Sequence, residues 1–267
     1  MSCIDAMFYA EGVYQHPPHS HNTYQILFVR SGSATLRVGA TSYVIDRPSV
    51  VFISYLENHT FLHVDKHYCR YVVNLRPDQA RAQLQEGDRL LSPFTNRPAG
   101  FSHVLLVEPI AGRLETLFSM LNEEWSAGDF PQGEAAILQT ILQCLYRFAP
   151  EVFPYSEQAF TSTVQQIKQR FELEPAQQTP LSDLAEEYHV SVSYLAHSFK
   201  QVTGYSVGQY RLLCRLAAAK TLLLTTGRSI TDIGAACGFS DMSNFSRYFR
   251  REIGCSPSEF RRNRSSY

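Results

Sequence analysis

The hydrophobic period changes partway along this chain. Up to about residue 105, apolar residues fall in short runs rich in branched and aromatic side chains. Thr23-Tyr24-Gln25-Ile26-Leu27-Phe28-Val29 and Ala34-Thr35-Leu36-Arg37-Val38 read as strands, and Ser31-Gly32-Ser33 between them predicts a hairpin. Residues 42–46, 50–54 and 70–75 continue the pattern, so many short strands with tight turns predict a small barrel or sandwich. From residue 110 the spacing becomes helical: Ile110, Leu114, Leu117, Phe118 and Leu121 form one stripe, and Ile137, Leu138, Ile141, Leu142 and Leu145 a second. Residues 128–133 separate the two helices. Their apolar faces either cover the barrel or contribute a dimer seam, in which Leu142 and Leu145 are the candidates. The prolines Pro150 and Pro154 mark a boundary, and the chain beyond reads as almost wholly helical. The expected organisation is a β-barrel over 1–106, a helical connector and dimerisation segment over 107–149, a linker over 150–160 and an all-α domain over 161–267.

The C-terminal part contains an internal duplication. Leu181, Asp183 and Leu184 recur as Ile230, Asp232 and Ile233, an offset of 49. Leu195, Phe199, Gly204, Ser206 and Tyr210 recur as Phe245, Phe249, Gly254, Ser256 and Phe260, an offset of 50, so one residue is added in the second unit's turn. Each unit reads as helix, turn, helix. Ser229 is placed to cap a helix, with Asp232 in its first turn. Gly238 falls at the sharp bend, residues 241–253 form the next helix, and Gly254 ends it. Ser256-Pro257-Ser258-Glu259 and Ser206-Val207-Gly208-Gln209 both read as capping boxes.

Helical geometry sorts the faces of the second helix in each unit. Met242, Phe245 and Phe249 share one face and belong to the core. Ser243, Arg247 and Arg250 lie opposite, flanked by Ser246 and Arg251. In a DNA-binding helix-turn-helix, the N-terminal part of the second helix enters the major groove. Ser243, Ser246 and Arg247 are then the base readers, with Arg250 and Arg251 toward phosphates. The same face in the first unit carries Ser193, Ala196, His197 and Lys200, poorer in long donors and suited to fewer bases or a thymine methyl. A longer helix over 207–224 joins the units; its eighteen residues span roughly 27 Å, approaching the ~34 Å between successive major-groove faces.

Composition agrees with this division. The 267 residues are 44% apolar and 18% charged, a globular balance long enough for two domains. The net charge of −1 conceals an asymmetry: from Ala159 onward there are 13 Lys and Arg against 9 Asp and Glu, while the preceding part holds 11 against 16. A basic end on an acidic body fits a nucleic-acid partner at that end. No stretch is apolar enough to span a membrane and the start lacks a signal-peptide pattern, so a cytoplasmic protein is expected. Cys3, Cys69, Cys144, Cys214, Cys237 and Cys255 are scattered with no Cys-x-x-Cys pair, which argues against a disulfide framework or structural zinc.

The run Arg215-Leu216-Ala217-Ala218-Ala219-Lys220-Thr221-Leu222-Leu223, with Ile230 and Ile233, Cys237-Gly238-Phe239, Asn244-Phe245-Ser246-Arg247, Phe249, Gly254, Ser256-Pro257 and Phe260-Arg261, resembles the signature of the AraC/XylS family of bacterial regulators. Leu184-Ala185, Ser191, Tyr194-Leu195, Phe199-Lys200 and Gly204 are similar to that family's first helix-turn-helix. Gly234 stands where alanine is usual and His189 where glycine is frequent. The resemblance implies a sequence-specific transcription regulator rather than an enzyme, with double-stranded DNA, a small-molecule effector, a second copy of the chain and RNA polymerase as partners.

In the first domain, His19-Ser20-His21 followed by Gln25 and Gly32, then Pro48, His59 and His63, resembles the two cupin motifs. That resemblance puts His19, His21, Gln25 and His59 where metal-dependent cupins hold a divalent cation. Residues 19, 21 and 25 share parity, so one strand can direct all three inward. Gln25 replaces the carboxylate and Ser49 the usual glycine, and related regulator barrels sense small molecules without metal. The expected site is therefore a polar effector pocket with no metal and no cofactor. The alternatives are a metal-dependent cupin enzyme fused to a DNA-binding domain, and a regulator that senses nothing.

Overall fold

The computed structural model describes residues 4–9, 18–85, 87–97, 101–128, 131–154 and 163–262. The chain divides into two compact units, Met1–Ser162 and Thr163–Tyr267. The first contains β1 (Ile4–Tyr9), β2 (Tyr24–Ser31), β3 (Ala34–Val38), β4 (Thr41–Ile45), β5 (Ser49–Ile53), β6 (His59–Val64), β7 (Cys69–Leu75) and β8 (Val104–Leu106). Helices α1 (Pro77–Gln83), α2 (Gly87–Leu90) and α3 (Ser92–Thr95) precede β8, and α4 (Ala111–Ala127) and α5 (Pro131–Phe148) follow it. The strands form two antiparallel sheets, β1-β7-β2-β5-β8 and β4-β3-β6. Among the described residues no strand pair closes the two sheets into a continuous barrel, so the expected barrel is an open two-sheet form.

Alternation along the strands builds the core between the sheets. Leu27, Val29, Val51, Ile53 and Val72 of the larger sheet meet Leu36, Val38, Ile45, Phe61 and Val64 of the smaller. The opposite face of the larger sheet is covered by helices, because the alternate positions of its strands, among them Ile26, Phe28, Phe52, Tyr71 and Val73, are apolar too. Phe118 of α4 stacks on Phe28, with ring centroids 5.2 Å apart, and Phe94 of α3 stacks on Tyr24 at 4.8 Å. Such double coverage demands a strand with partners along both edges. That is why β2, buried without interruption over 24–29, lies between β7 and β5.

The predicted hairpin is thereby corrected. β3 has the expected extent and β2 runs two residues further, to Ser31, but they belong to different sheets and do not pair. The turn between them is held by Asp65, whose Oδ2 accepts from the Ser33 N–H at 2.6 Å and the Ser33 hydroxyl at 2.7 Å. Gly32 has φ +81°, and a Cβ there would lie 2.4 Å from the Tyr68 Cα, so backbone conformation and close approach both require glycine.

The seam candidates are corrected as well. Leu138, Ile141, Leu142 and Leu145 have no exposed surface within the unit, so Leu142 and Leu145 are core residues and cannot form a contact between copies. Residues 150–154, expected as linker, begin with a short 3-10 turn, and Phe153 is buried against Phe52 and Tyr146. The rest of that expected linker lies outside the described residues. Cys214 and Cys237 are buried thiols, and Cys69, Cys144 and Cys255 are half-buried; Cys3 lies outside the described residues.

The second unit is wholly helical: α6 (Thr163–Leu173), α7 (Leu181–Glu187), α8 (Val192–Thr203), α9 (Val207–Thr225), α10 (Ile230–Ala236), α11 (Met242–Ile253) and α12 (Pro257–Arg262). The sequence duplication is a structural one. Phe199 meets Tyr210 edge-on at 5.4 Å and 74°, and Phe249 meets Phe260 edge-on at 5.6 Å and 72°. Both capping boxes form, and Gly204 and Gly254 end α8 and α11 in the left-handed conformation. His189 and Gly238, equivalent under the offset of 49, both have positive φ, +53° and +84°. The turn keeps its geometry although its first copy carries a histidine.

Candidate functional site

α8 and α11 are the second helices of the two helix-turn-helix units. Each presents an exposed face opposite its buried pair, Leu195 with Phe199 and Phe245 with Phe249. Ser193, Ala196, His197 and Lys200 are exposed on α8, and Ser243, Ser246, Arg247, Arg250 and Arg251 on α11. Ser191 caps α8, and Asp241 caps α11 by accepting from the Ser243 and Asn244 N–H groups. Periodicity alone puts Asp241 inside the helix; the structure makes it the cap.

Asn244 is a candidate site residue that periodicity does not single out. Its amide donates to Asp241 Oδ2 at 2.9 Å, and its oxygen accepts from Arg247 Nη2 at 2.6 Å. A cap thus extends into a chain that orients the leading arginine; the three-residue spacing of Asp241, Asn244 and Arg247 is the signal that could have found it. Arg247 and Arg251 also flank the Tyr248 ring at 5.4 and 5.0 Å. Arg251 is ion-paired with Glu252 at 2.6 Å, whereas Arg250 has the simpler exposed placement suited to a phosphate.

In the first unit, His19, His21 and His59 come together. Their ring centroids lie 4.5 to 5.1 Å apart and their candidate ligand atoms all lie within 4.8 Å of one another. Backbone pairing between His19 and His59 joins the segment before β2 to β6. His59 Nδ1 lies 3.0 Å from the Glu57 carbonyl oxygen. A carbonyl only accepts, so Nδ1 carries the proton and Nε2 the lone pair. Burial pushes the His59 pKa down to about 4, outweighing the Glu57 carbonyl, and the imidazole is neutral near pH 7. Gln25 faces the same interior, but its amide donates to Asn74 at 3.0 Å, a polar pair across β2 and β7 rather than a partner of the histidines.

Beside this cluster lies a polar network that the sequence did not reveal. Arg97 Nη1 donates to both carboxylate oxygens of Glu57 at 2.8 and 2.7 Å, and Arg97 Nη2 donates to the Phe52 carbonyl at 2.9 Å. His103 Nε2 lies 2.9 Å from Glu57 Oε1, and Tyr43 closes the chain at His103 Nδ1, 2.8 Å away. Burial works to raise the Glu57 pKa, but the Arg97 charge and the His103 contact hold it well below the usual carboxylate range. Arg97 and His103 stand 40 and 46 residues from Glu57 in sequence, with no shared motif to signal them.

The cluster can be tested against the cation that cupins hold. Imidazole nitrogens about 2.1 Å from a tetrahedral zinc ion lie about 3.4 Å from one another. Three imidazole donors within 4.8 Å fit such an ion if they close by up to about 1.4 Å, and they leave its charge unbalanced because Gln25 offers no carboxylate.

A two-sheet unit followed by a duplicated helix-turn-helix unit defines a class of protein, the two-domain DNA-binding transcription regulator. The AraC-like ligand binding domain family matches residues 6–141, more than half of the chain, and the helix-turn-helix domain family matches residues 184–263. The chain belongs to the AraC family of transcription regulators. It is 26% identical to the HTH-type transcriptional activator RhaS of Escherichia coli O81 (strain ED1a) over 254 residues, 94% of this chain and 89% of RhaS. Its fold is similar to that of ToxT from Vibrio cholerae O395, with TM-score 0.57 at 15% identity over 99% of each chain. Unsaturated fatty acid-bound wild-type ToxT from Vibrio cholerae strain SCE256 matches with TM-score 0.53 at 16% identity, over 97% of this chain and 94% of that one. Among the described residues no helix is long and apolar enough to cross a membrane.

Proposed function

We propose that this regulator reads DNA with the exposed faces of α8 and α11 and takes a small polar effector in its first unit. The convergence of three imidazoles in the ligand-binding unit carries the effector reading. Neutral imidazoles donate and accept hydrogen bonds, which suits hydroxyl and carboxylate groups. His59 is buried and His19 and His21 are half-buried, so a polar ligand entering among them exchanges water for hydrogen bonds to imidazole. His19, His21 and His59 line the site, with Gln25 contributing through its pair with Asn74. Effector binding that favours one arrangement of the chain alters its DNA affinity by the same factor as DNA alters effector affinity.

The test is a thermal-shift screen of the full chain against sugars, hydroxy acids and fatty acids, followed by His21→Ala and Gln25→Ala. Loss of the shift in both variants, with folding and basal DNA binding intact, supports the site. An effector that stabilises both variants as it does the wild type places sensing elsewhere.

The three-histidine geometry also favours a second reading, in which the cluster holds a divalent cation as in a cupin enzyme fused to a DNA-binding domain. Metal analysis of the purified chain separates the two: a stoichiometric ion lost in His59→Ala favours the second. Homodimerisation, a cytoplasmic location and contact with RNA polymerase complete the proposal. With Leu142 and Leu145 inside the core, a seam on α4 would use outward residues such as Met120, which is 47% exposed. Sedimentation of wild type and Met120→Glu checks it, and a monomeric wild type at tens of micromolar removes the dimer.

A further inference from the structure

His189 and Gly238 do the same conformational work in the two turns, yet their surroundings differ. A Cβ at Gly238 would lie 2.7 Å from the carbonyl oxygen of Ala176 and 3.0 Å from its Cα. The segment 174–180, between α6 and α7 of the first helix-turn-helix unit, therefore passes directly over the turn of the second. Gln178 fastens it there, its amide donating to the Gly238 carbonyl oxygen at 2.8 Å across sixty residues of sequence.

The joining helix holds the same segment from below. Arg215 Nε donates to the Pro175 carbonyl at 3.2 Å and its Nη2 to the Gln177 carbonyl at 3.5 Å. Arg211, one turn earlier on α9, donates to the Thr179 carbonyl at 2.5 Å, and its guanidinium lies 4.8 Å from the centre of the Phe171 ring. Arg170 of α6 braces the loop from its own side, donating to Gln177 Oε1 at 2.6 Å. The arginines of α9 take three backbone carbonyls of a segment that has no helix or strand of its own to satisfy them.

The DNA-reading units are thus joined by α9 and, among the described residues, also by this strap. A single helix between two domains leaves them free to bend and twist about it, whereas a second attachment removes that freedom. We propose that segment 174–180 is a strap that fixes the angle and separation of α8 and α11, with Gln178 and Arg215 as positioning residues. The consequence is a stringent demand on operator spacing. One added base pair turns the far half-site by about 35° and shifts it by about 3.4 Å. A strapped pair of recognition helices cannot follow that change, and a loosened pair can.

The experiment uses the full chain and a bipartite duplex selected with the wild-type protein from a random pool. Affinity is measured for that duplex, for versions with one base pair added or removed between the half-sites, and for versions with either half-site scrambled. For wild type a spacing change should cost about tenfold, the order of one lost base contact. In Ala176→Gly/Gln178→Ala, whose two positions are exposed, the spacing penalty should fall to about threefold or less, with binding to a single half-site unchanged. Gln178→Lys restores a donor and should keep the wild-type penalty. An unchanged penalty in the double variant overturns the proposal. So does an equal loss on every duplex, because that is the mark of a merely structural role.

Discussion

Arg247→Ala tests the reading of α11 most directly. Arg247 is exposed on the face opposite Phe245 and Phe249, so truncating it leaves the core intact. Of its five donors, the structure commits one Nη2–H to Asn244 Oδ1. Two donors suffice to grip guanine O6 and N7, so that commitment and base contact are compatible. Losing a bidentate pair costs about 1–3 kcal/mol, a drop in affinity of about 5- to 150-fold. Asn244→Ala removes only the support, a charge-assisted hydrogen bond on an exposed surface, and should cost less, about two- to tenfold. Because Asn244 acts through Arg247, the double variant should lose little beyond Arg247→Ala alone. Fluorescence anisotropy with the selected duplex at fixed salt, repeated across single base-pair variants, measures all three. Arg247→Ala should also flatten the preference at one base pair while Tm stays within a degree or so. If it leaves both affinity and preferred sequence unchanged, the placement of α11 in the groove is wrong.

Lys200→Ala should weaken all duplexes about equally and reduce the slope of log affinity against log salt by about one, as loss of one phosphate contact requires; a change in base preference would contradict this. His189→Gly should relieve a left-handed residue, φ +53°, and stabilise the second unit by about 0.5–1 kcal/mol, a few degrees in Tm. His59 stays neutral when folded and takes up a proton when unfolded near pH 6.5, so the unfolded state binds more protons between these limits. Stability of the metal-free chain should therefore fall as pH drops from about 6.5 to 4, by at most about 3 kcal/mol, and level off below. His59→Ala should remove most of that slope in pH-dependent thermal melts, and identical slopes in the two proteins would count against it.

The DNA-binding unit was legible because its signals are local. Caps at Ser206, Ser229 and Ser256, left-handed glycines at 204 and 254, and apolar residues three or four apart act within one or two helical turns. The family resemblance put His189 where glycine is frequent, and the structure makes it the counterpart of Gly238. What escaped was the capping role of Asp241, because a helix boundary is uncertain by a residue or two when only periodicity marks it.

The first unit was legible only in part. Its strands could be located, since alternation and branched residues are properties of each segment. Their pairing could not, since a strand of period two fits beside any other strand. Burial of β2 on both faces separated it from β3, and that burial depends on helices more than sixty residues away.

By itself the sequence determined where the helices and most strands lie, that the helical unit is duplicated, and which faces of α8 and α11 meet solvent. Only the tertiary structure decided which strands pair, that Gln25 turns to Asn74 while three histidines converge, and that Glu57, Arg97 and His103 share one network. It alone brought segment 174–180 onto Gly238. The physical reason is range: capping, φ preference and helical periodicity act between near neighbours in the chain. Strand pairing, buried charge networks and close backbone approaches are chosen by competition among all the surfaces that must leave water together.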